Sequence, residues 1–317
     1  MRKSRLSLVV LAVFAPAAVA MAAPSCGARS ELYLPPPDEV EDAGPDVVDA
    51  PPDVPPDVPP DVPPDVPPDV PPDGLPPCDP EVLYIYLVTS ETDLYRYRPD
   101  TGVFDLVGNL NCDPASSPFS MGVARTGEAY VVYADGQLYR VDTADASCEP
   151  TDWEVGNQGF FNFGMGYAID DDGMGETLYV AEINFQNPSL GLGSIETTTF
   201  DLTYVGPFSE NPGNALEMTS SDDGKLYGYF LNSGGMGGTV VEIDKNTAEI
   251  VSETLLPVGA GGALAFAYWS GDFYIFNGQS GDTTTVTQYK PSDGSLQVVA
   301  TLNRTVVGAG VSTCTIP

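Results

Sequence analysis

Beyond residue 80 the apolar positions fall in short alternating runs rich in Val, Tyr and Phe, separated by Gly, Asp and Asn. This period-2 alternation predicts strands and turns, with almost no helix. Strand-turn-strand units are legible directly: Ala129 to Ala134, Asp135-Gly136, then Gln137 to Val141; others cover Thr177 to Ile183, Lys225 to Leu231 and Asp272 to Asn277. One short pattern occurs five times: Leu94-Tyr95-Arg96-Tyr97-Arg98-Pro99, Leu138-Tyr139-Arg140-Val141-Asp142, Gly193-Ser194-Ile195-Glu196, Val240-Val241-Glu242-Ile243-Asp244 and Val286-Thr287-Gln288-Tyr289-Lys290. Its aligned apolar residues, Tyr97, Val141, Ile195, Ile243 and Tyr289, lie 44, 54, 48 and 46 residues apart.

A second column precedes these units: Met121-Gly122-Val123, Met165-Gly166-Tyr167, Leu216-Glu217-Met218, Leu264-Ala265-Phe266 and Ala309-Gly310-Val311. A repeat of about 40–50 residues holding several short strands predicts a β-propeller blade. The fold class expected is all-β, a five-bladed propeller; a two-sheet β-sandwich would explain the strands but not the period. The last copy of the second column has almost nothing after it, and the first unit has only linker before it. The C-terminal strand therefore completes the first blade, which resembles the ring closure of propeller proteins. The blades expected are 82–110 with 305–314, 119–156, 163–207, 214–258 and 262–302.

Residues 1–77 are a different physical object. Arg2, Lys3 and Arg5 precede an apolar run from Leu6 to about Ala20, which reads as a secretory signal over residues 1–25. Cleavage at a small-x-small site near Ala20 would release a soluble protein. Cleavage before Cys26, in Ala23-Pro24-Ser25-Cys26, would expose a thiol for lipid attachment; Ala23 and Pro24 depart from the usual lipobox. Residues 26–77 form the linker. Its segment 51–70 is five copies of Pro-Pro-Asp-Val, isolated valines among prolines that cannot bury a core. As polyproline II at about 3.1 Å per residue, residues 51–73 would extend roughly 70 Å. A spacer is the reading preferred over a ligand for a proline-recognition domain.

The cysteines fit an exported chain. There are five, Cys26, Cys78, Cys112, Cys148 and Cys314; acylation of Cys26 leaves an even four for disulfides. Three pairings are open. Ring closure brings Cys78 and Cys314 to one seam, and favours Cys78–Cys314 with Cys112–Cys148 in the domain 78–317.

Charge and composition then exclude function classes. The formal net charge is −33, and from Cys78 onward there are 32 acidic and 8 basic residues. Nucleic acid binding needs the opposite sign. Histidine is absent, which removes Ser-His-Asp and Cys-His nucleophile systems and histidine-ligated zinc. Asp170, Asp171 and Asp172 before Gly173 offer hard oxygen ligands for calcium. Yet Ser221-Asp222-Asp223-Gly224 recurs at the same place in the next blade, as hairpin turns would. Glu217 stands in a column whose other members are Gly122, Gly166, Ala265 and Gly310, and is the candidate channel ligand for a cation or small molecule. The competing reading is a carboxylate bonded to backbone or water. Tyrosines on the strands read as core and blade-face packing before they read as a sugar platform.

The signal, the Pro/Asp-rich tether and the repeat together resemble uncharacterised exported bacterial β-propeller lipoproteins. That resemblance implies an envelope location, with Gly27 after Cys26 pointing to outer-membrane sorting. The expectation is a monomeric, membrane-tethered binding or scaffold module for a protein or glycan ligand, touching the membrane through its lipid anchor only. The alternative is a calcium-dependent propeller hydrolase or lactonase using Glu217 with Asn214 or nearby aspartates.

Overall fold

The computed structural model describes residues 75, 78–79, 83–112, 116–184, 188–210, 213, 216–232, 237–259, 261–279 and 283–314. The leader, Cys26 and the Pro-Pro-Asp-Val repeats lie outside these residues.

Among the described residues, twenty strands form five four-stranded antiparallel sheets, the blades of a propeller. Blade 1 comprises β1 (Ile85–Thr89), β2 (Asp93–Arg98) and β3 (Val103–Asn109), completed by β20 (Val306–Gly310). Blade 2 is β4 (Pro118–Val123), β5 (Glu128–Tyr133), β6 (Leu138–Asp142) and β7 (Cys148–Pro150). Blade 3 is β8 (Phe163–Ile169), β9 (Glu176–Glu182), β10 (Leu192–Ile195) and β11 (Leu202–Gly206). Blade 4 is β12 (Leu216–Ser220), β13 (Leu226–Leu231), β14 (Gly238–Ile243) and β15 (Ile250–Leu256). Blade 5 is β16 (Ala263–Trp269), β17 (Asp272–Gln279), β18 (Thr283–Lys290) and β19 (Ser295–Leu302). Helix is confined, among the described residues, to one 3-10 turn at Asn157–Gly159.

The inner strands β4, β8, β12, β16 and β20 each touch the next, which closes the ring. β20 pairs with β1 through Tyr86↔Gly310 and Leu87↔Ala309, so the C-terminal strand is the innermost of blade 1. The Cys78–Cys314 disulfide links residues 236 apart across this seam, and Cys112–Cys148 ties the end of blade 1 to the outer strand of blade 2. On the chain-entropy account these loops contribute about 5 and about 4 kcal/mol respectively by restricting the unfolded chain. Next to Cys314, Thr313 Oγ1 donates to Glu176 Oε2 (2.7 Å), and Arg125 donates its backbone N–H to Glu176 Oε1 (2.7 Å) and Nη1 to the Thr313 carbonyl (2.9 Å). The chain end is thus bonded to blades 2 and 3.

The core lies between blades. Each apolar cluster draws residues from two neighbours, such as Tyr130 and Leu138 of blade 2 with Phe163 and Val180 of blade 3. Side chains alternate across a strand, and in a propeller both faces of a sheet meet another sheet. The second strands are accordingly mostly buried, whereas the outermost strands β3, β15 and β19 are largely exposed.

The third and fourth strands of every blade are joined by the same turn, whose fifth residue is left-handed: Gly102, Ala146, Phe200, Ala248 and Gly294, with φ between 60° and 73°. Its amide donates four residues back, as Ala248 does to the Asp244 carbonyl (2.9 Å for Ala146 to Asp142, 2.8 Å for Ala248). Glycine takes this conformation freely, while Ala or Phe there costs about 1–2 kcal/mol. Ala146 and Ala248 are buried against the sheet and Phe200 packs on the cluster between blades 2 and 3, and these contacts offset the strain.

Backbone register corrects one expectation. Each second strand carries a tyrosine, Tyr86, Tyr130, Tyr179, Tyr227 and Tyr274, whose inner-strand partners are Gly310, Gly122, Gly166, Thr219 and Ala267. Glu217 lies two residues earlier, level with Gly308, Ser120, Gly164 and Ala265. Its level therefore holds Ser120, and not Gly122, Gly166 and Gly310. The sequence column slipped because Leu-Glu-Met resembles Met-Gly-Tyr in size pattern, while register follows hydrogen bonding. Small residues are required here: a Cβ on Gly166 would stand 3.0 Å from the Met218 carbonyl oxygen, and one on Gly308 3.0 Å from the Met121 nitrogen.

Candidate functional site

Glu217 comes from inner strand β12, and is 4% exposed. Ser120 Oγ, from β4 two blades away, donates to Glu217 Oε2 at 2.7 Å. The side chain passes the level of Gly164, where β8 carries no side chain. Burial holds the Glu217 carboxyl well above the ordinary carboxylate range, and the Ser120 bond opposes this only in part. Burial therefore favours the neutral acid. Asn214 lies outside the described residues.

The three aspartates of blade 3 do not converge. They build the β8–β9 turn. Asp170 Oδ1 accepts from Thr177 Oγ1 (2.7 Å), and Asp172 Oδ1 accepts from the Met174 N–H (2.9 Å). Asp171 points away to blade 4, where Lys245 Nζ (2.8 Å) and Asn246 Nδ2 (2.8 Å) hold it and lower its pKa. The homologous segment Ser221 to Gly224 is also a turn, closed by the Ser221 N–H to Lys225 O bond (3.0 Å) and by Ser221 Oγ on Asp223. Among the described residues, no three Cys, Asp or Glu side chains gather as metal ligands would.

Two clefts open beside these turns. The larger, of about 380 Å³, lies between blades 4 and 5. Blade 4 contributes Tyr227, Glu242 and the turn residues Asp222 and Asp223; blade 5 contributes Tyr268, Gly271, Phe273, Tyr289 and Pro291. Its floor is an aromatic layer. Phe273 stands at its centre, 4.9 Å from Tyr227, 5.4 Å from Tyr268 and 6.3 Å from Tyr289 by ring centroids, and stacks on Phe266 at 5.3 Å. The carboxylates sit on the rim. Tyr268 donates its hydroxyl to Asp222 Oδ1 (3.3 Å), and Glu242 pairs with Lys225 (3.3 Å). Burial, then the charge of Asp222, pushes the Tyr268 phenol up to about 12. Tyr227 is pushed up by burial and then by Glu242 and Asp223. Among the described residues neither Asp222 nor Asp223 has a salt-bridge partner.

The smaller cleft, about 320 Å³, lies between blades 3 and 4 and carries Asp170, Asp171, Gly224 and Lys245. Here the ammonium of Lys245, whose side chain is only 10% exposed, meets Asp171 and donates to the carbonyls of Ile169 and Gly224 (3.2 Å for the latter). Sequence reading picked out the aspartates and the tyrosines separately but missed the larger cleft. The usable signal was the third-to-fourth-strand turn. Its second residue is Pro99, Thr143, Thr197, Lys245 and Pro291 in successive blades.

No family model matches the chain, and no curated protein matches its sequence. Solved structures that resemble it are β-propellers, some of them uncharacterised bacterial proteins. They include hydrazine synthase of Kuenenia stuttgartiensis (16% identity, 69% of this chain and 66% of that chain, TM-score 0.39). Others are a Bacteroides caccae protein of unknown function (13%, 69% and 72%, 0.39) and an exo-β-1,3-galactanase of Phanerochaete chrysosporium (9%, 67% and 53%, 0.43). The chain spans just under two thirds of the first and about half of the third. At these values the likeness carries nothing about activity.

Proposed function

We propose that the chain is an exported, envelope-tethered β-propeller that works as a binding module, with the cleft between blades 4 and 5 as its ligand-binding face. The observation that carries this reading is the cleft itself: an aromatic floor with carboxylates and the hydroxyls of Ser252 and Thr254 around it. Concave apolar surface with a few convergent polar groups is the usual anatomy of a binding site. Export is supported by the basic-then-apolar leader and by two disulfides, which persist in oxidising compartments. The Pro-Pro-Asp-Val segment serves as a stiff spacer, and a lipid on Cys26 as its anchor.

Photo-crosslinking in the intact cell tests the face. A crosslinking residue in place of Ser252, on the rim, should give a discrete adduct with an envelope component. One in place of Val298, exposed on the outer strand of blade 5, should give none. Equal yields at both positions would overturn the assignment of the face. Mass spectrometry of the mature N-terminus should find a diacylglyceryl-modified Cys26; an unmodified start elsewhere would overturn the anchor.

A further inference from the structure

The junction between blades 3 and 4 holds the Lys245 ammonium, and the junction between blades 4 and 5 has the same frame with Pro291 at that place, its nearby Lys225 being half-exposed and paired with Glu242 on the rim. The equivalence rests on backbone register. In blade 4 the row Ser220–Leu226–Ile243 runs across the sheet; in blade 5 the matching row is Tyr268–Phe273–Tyr289. The turns that follow β14 and β18 are of equal length, with Ala248 N–H donating to Asp244 O and Gly294 N–H to Lys290 O. Pro291 therefore occupies the place of Lys245. Asp222 holds the turn position of Asp171, since Gly173 and Gly224 close the two turns in the same way on Asp170 and Ser221. Gly271 holds the place of Gly224, each in the first hairpin of its own blade with positive φ.

Side-chain differences at this shared frame all act in one direction. Lysine gives way to proline, which leaves no cation at this place. Serine, leucine and isoleucine give way to Tyr268, Phe273 and Tyr289, which line the vacated volume with aromatic rings. Aspartate is retained at the turn as Asp222, which has no salt bridge among the described residues; Asp223 beside it lines both clefts. An alkyl stem lying on aromatic rings, with its ammonium at a carboxylate, satisfies both halves of this lining.

We infer that the cleft between blades 4 and 5 receives a lysine side chain presented by a partner polypeptide, in the place that Lys245 fills from within at the neighbouring junction. This deepens the proposed binding face and rests on it. Lysine is favoured over arginine because the adjoining site is built for a compact ammonium held by two carbonyls and one carboxylate. The acidic surface of the domain would also attract a basic partner and speed its approach.

The test is calorimetric titration of the processed full-length protein with N-acetyl-lysine N-methylamide, and with the norleucine analogue, which keeps the alkyl stem and lacks the charge. Saturable binding of the lysine compound is expected, at least tenfold tighter than the norleucine compound and weakened by added salt. Pro291→Lys should weaken it at least tenfold by placing an internal ammonium in the cleft, whereas Pro291→Ala should leave it intact. Asp222→Asn, a nearly isosteric change at an exposed turn, is the second variant should Pro291→Lys fail to fold; it should also weaken binding. Equal affinity for the two compounds, no saturable binding, or unchanged affinity in folded Pro291→Lys and Asp222→Asn would overturn the inference. Adducts at Ser252 without lysine binding would leave the binding face standing and remove the ammonium.

Discussion

The two junctions flanking blade 4 share their strand rows and the turn between third and fourth strands, and differ in the side chains that line them. Between blades 3 and 4 a cleft of about 320 Å³ carries the Lys245 ammonium over the aliphatic side chains of Leu226 and Ile243. Between blades 4 and 5 the cleft, about 380 Å³, has Pro291 at the place of that lysine and runs over an aromatic row. The repeat keeps the strand rows and the third-to-fourth-strand turn alike from blade to blade, because these follow from hydrogen bonding, while the first hairpins differ in length. It leaves the facing side chains free to vary, since any well-packed layer closes the blade interface. Function can therefore be grafted onto one junction by a handful of substitutions that never disturb the ring.

The strongest way to break this contrast is at the aromatic row. Phe273→Ala should destabilise the protein by about 3–5 kcal/mol in chemical denaturation, the cost of emptying a large buried side chain. Phe273→Leu, which gives blade 5 the residue that blade 4 carries, should cost less and should still weaken binding at the cleft. Between blades 3 and 4, Lys245→Ala removes charge-assisted hydrogen bonds to two carbonyls and should cost about 1.5–3 kcal/mol. Lys245→Met keeps the stem and should recover only the packing part of that loss.

The axis supplies a contrast of another kind, a polar group buried inside the ring and not at a blade's edge. The Glu217 carboxyl has a raised folded-state pKa, so its contribution to stability is full below the unfolded pKa and is lost as pH rises through the folded one. Glu217→Gln should keep the Ser120 bond and flatten the decline of melting temperature above the ordinary carboxylate range. An unchanged pH profile would show that Glu217 does not titrate there. The smallest effect concerns Tyr268. Its phenol ionises at about 12 in the folded protein against about 10 unfolded, so the stability it confers fades between about pH 10 and 12. Asp222→Asn should lower the Tyr268 midpoint in an ultraviolet titration, assigned by difference against Tyr268→Phe, because one of the charges raising it is gone.

Much of the fold is legible in the sequence. The 44–54-residue period gave five blades, and the position of Val306 to Gly310 at the chain end gave the closure that brings Cys78 to Cys314. Turn chemistry was legible at Asp170 to Gly173 and at Ser221 to Gly224 because Asp-Gly punctuation acts locally. The level of Glu217 was not. Inner-strand residues all read as small or apolar, and only pairing with β13 shows that Glu217 shares a level with Ser120. The cleft was hidden for a related reason. Its walls come from residues as distant as Asp222 and Pro291, and the replacement of Lys245 by Pro291 acquires meaning only when the turns of successive blades are superposed.

The most direct measurement is the nuclear Overhauser contact of a bound lysine side chain with the cleft. With N-acetyl-lysine N-methylamide added to the processed protein, the account predicts contacts from the lysine side-chain methylenes to the rings of Tyr227, Tyr268 and Tyr289, lost in Pro291→Lys. Contacts to other tyrosines, or contacts that persist in Pro291→Lys, would contradict it.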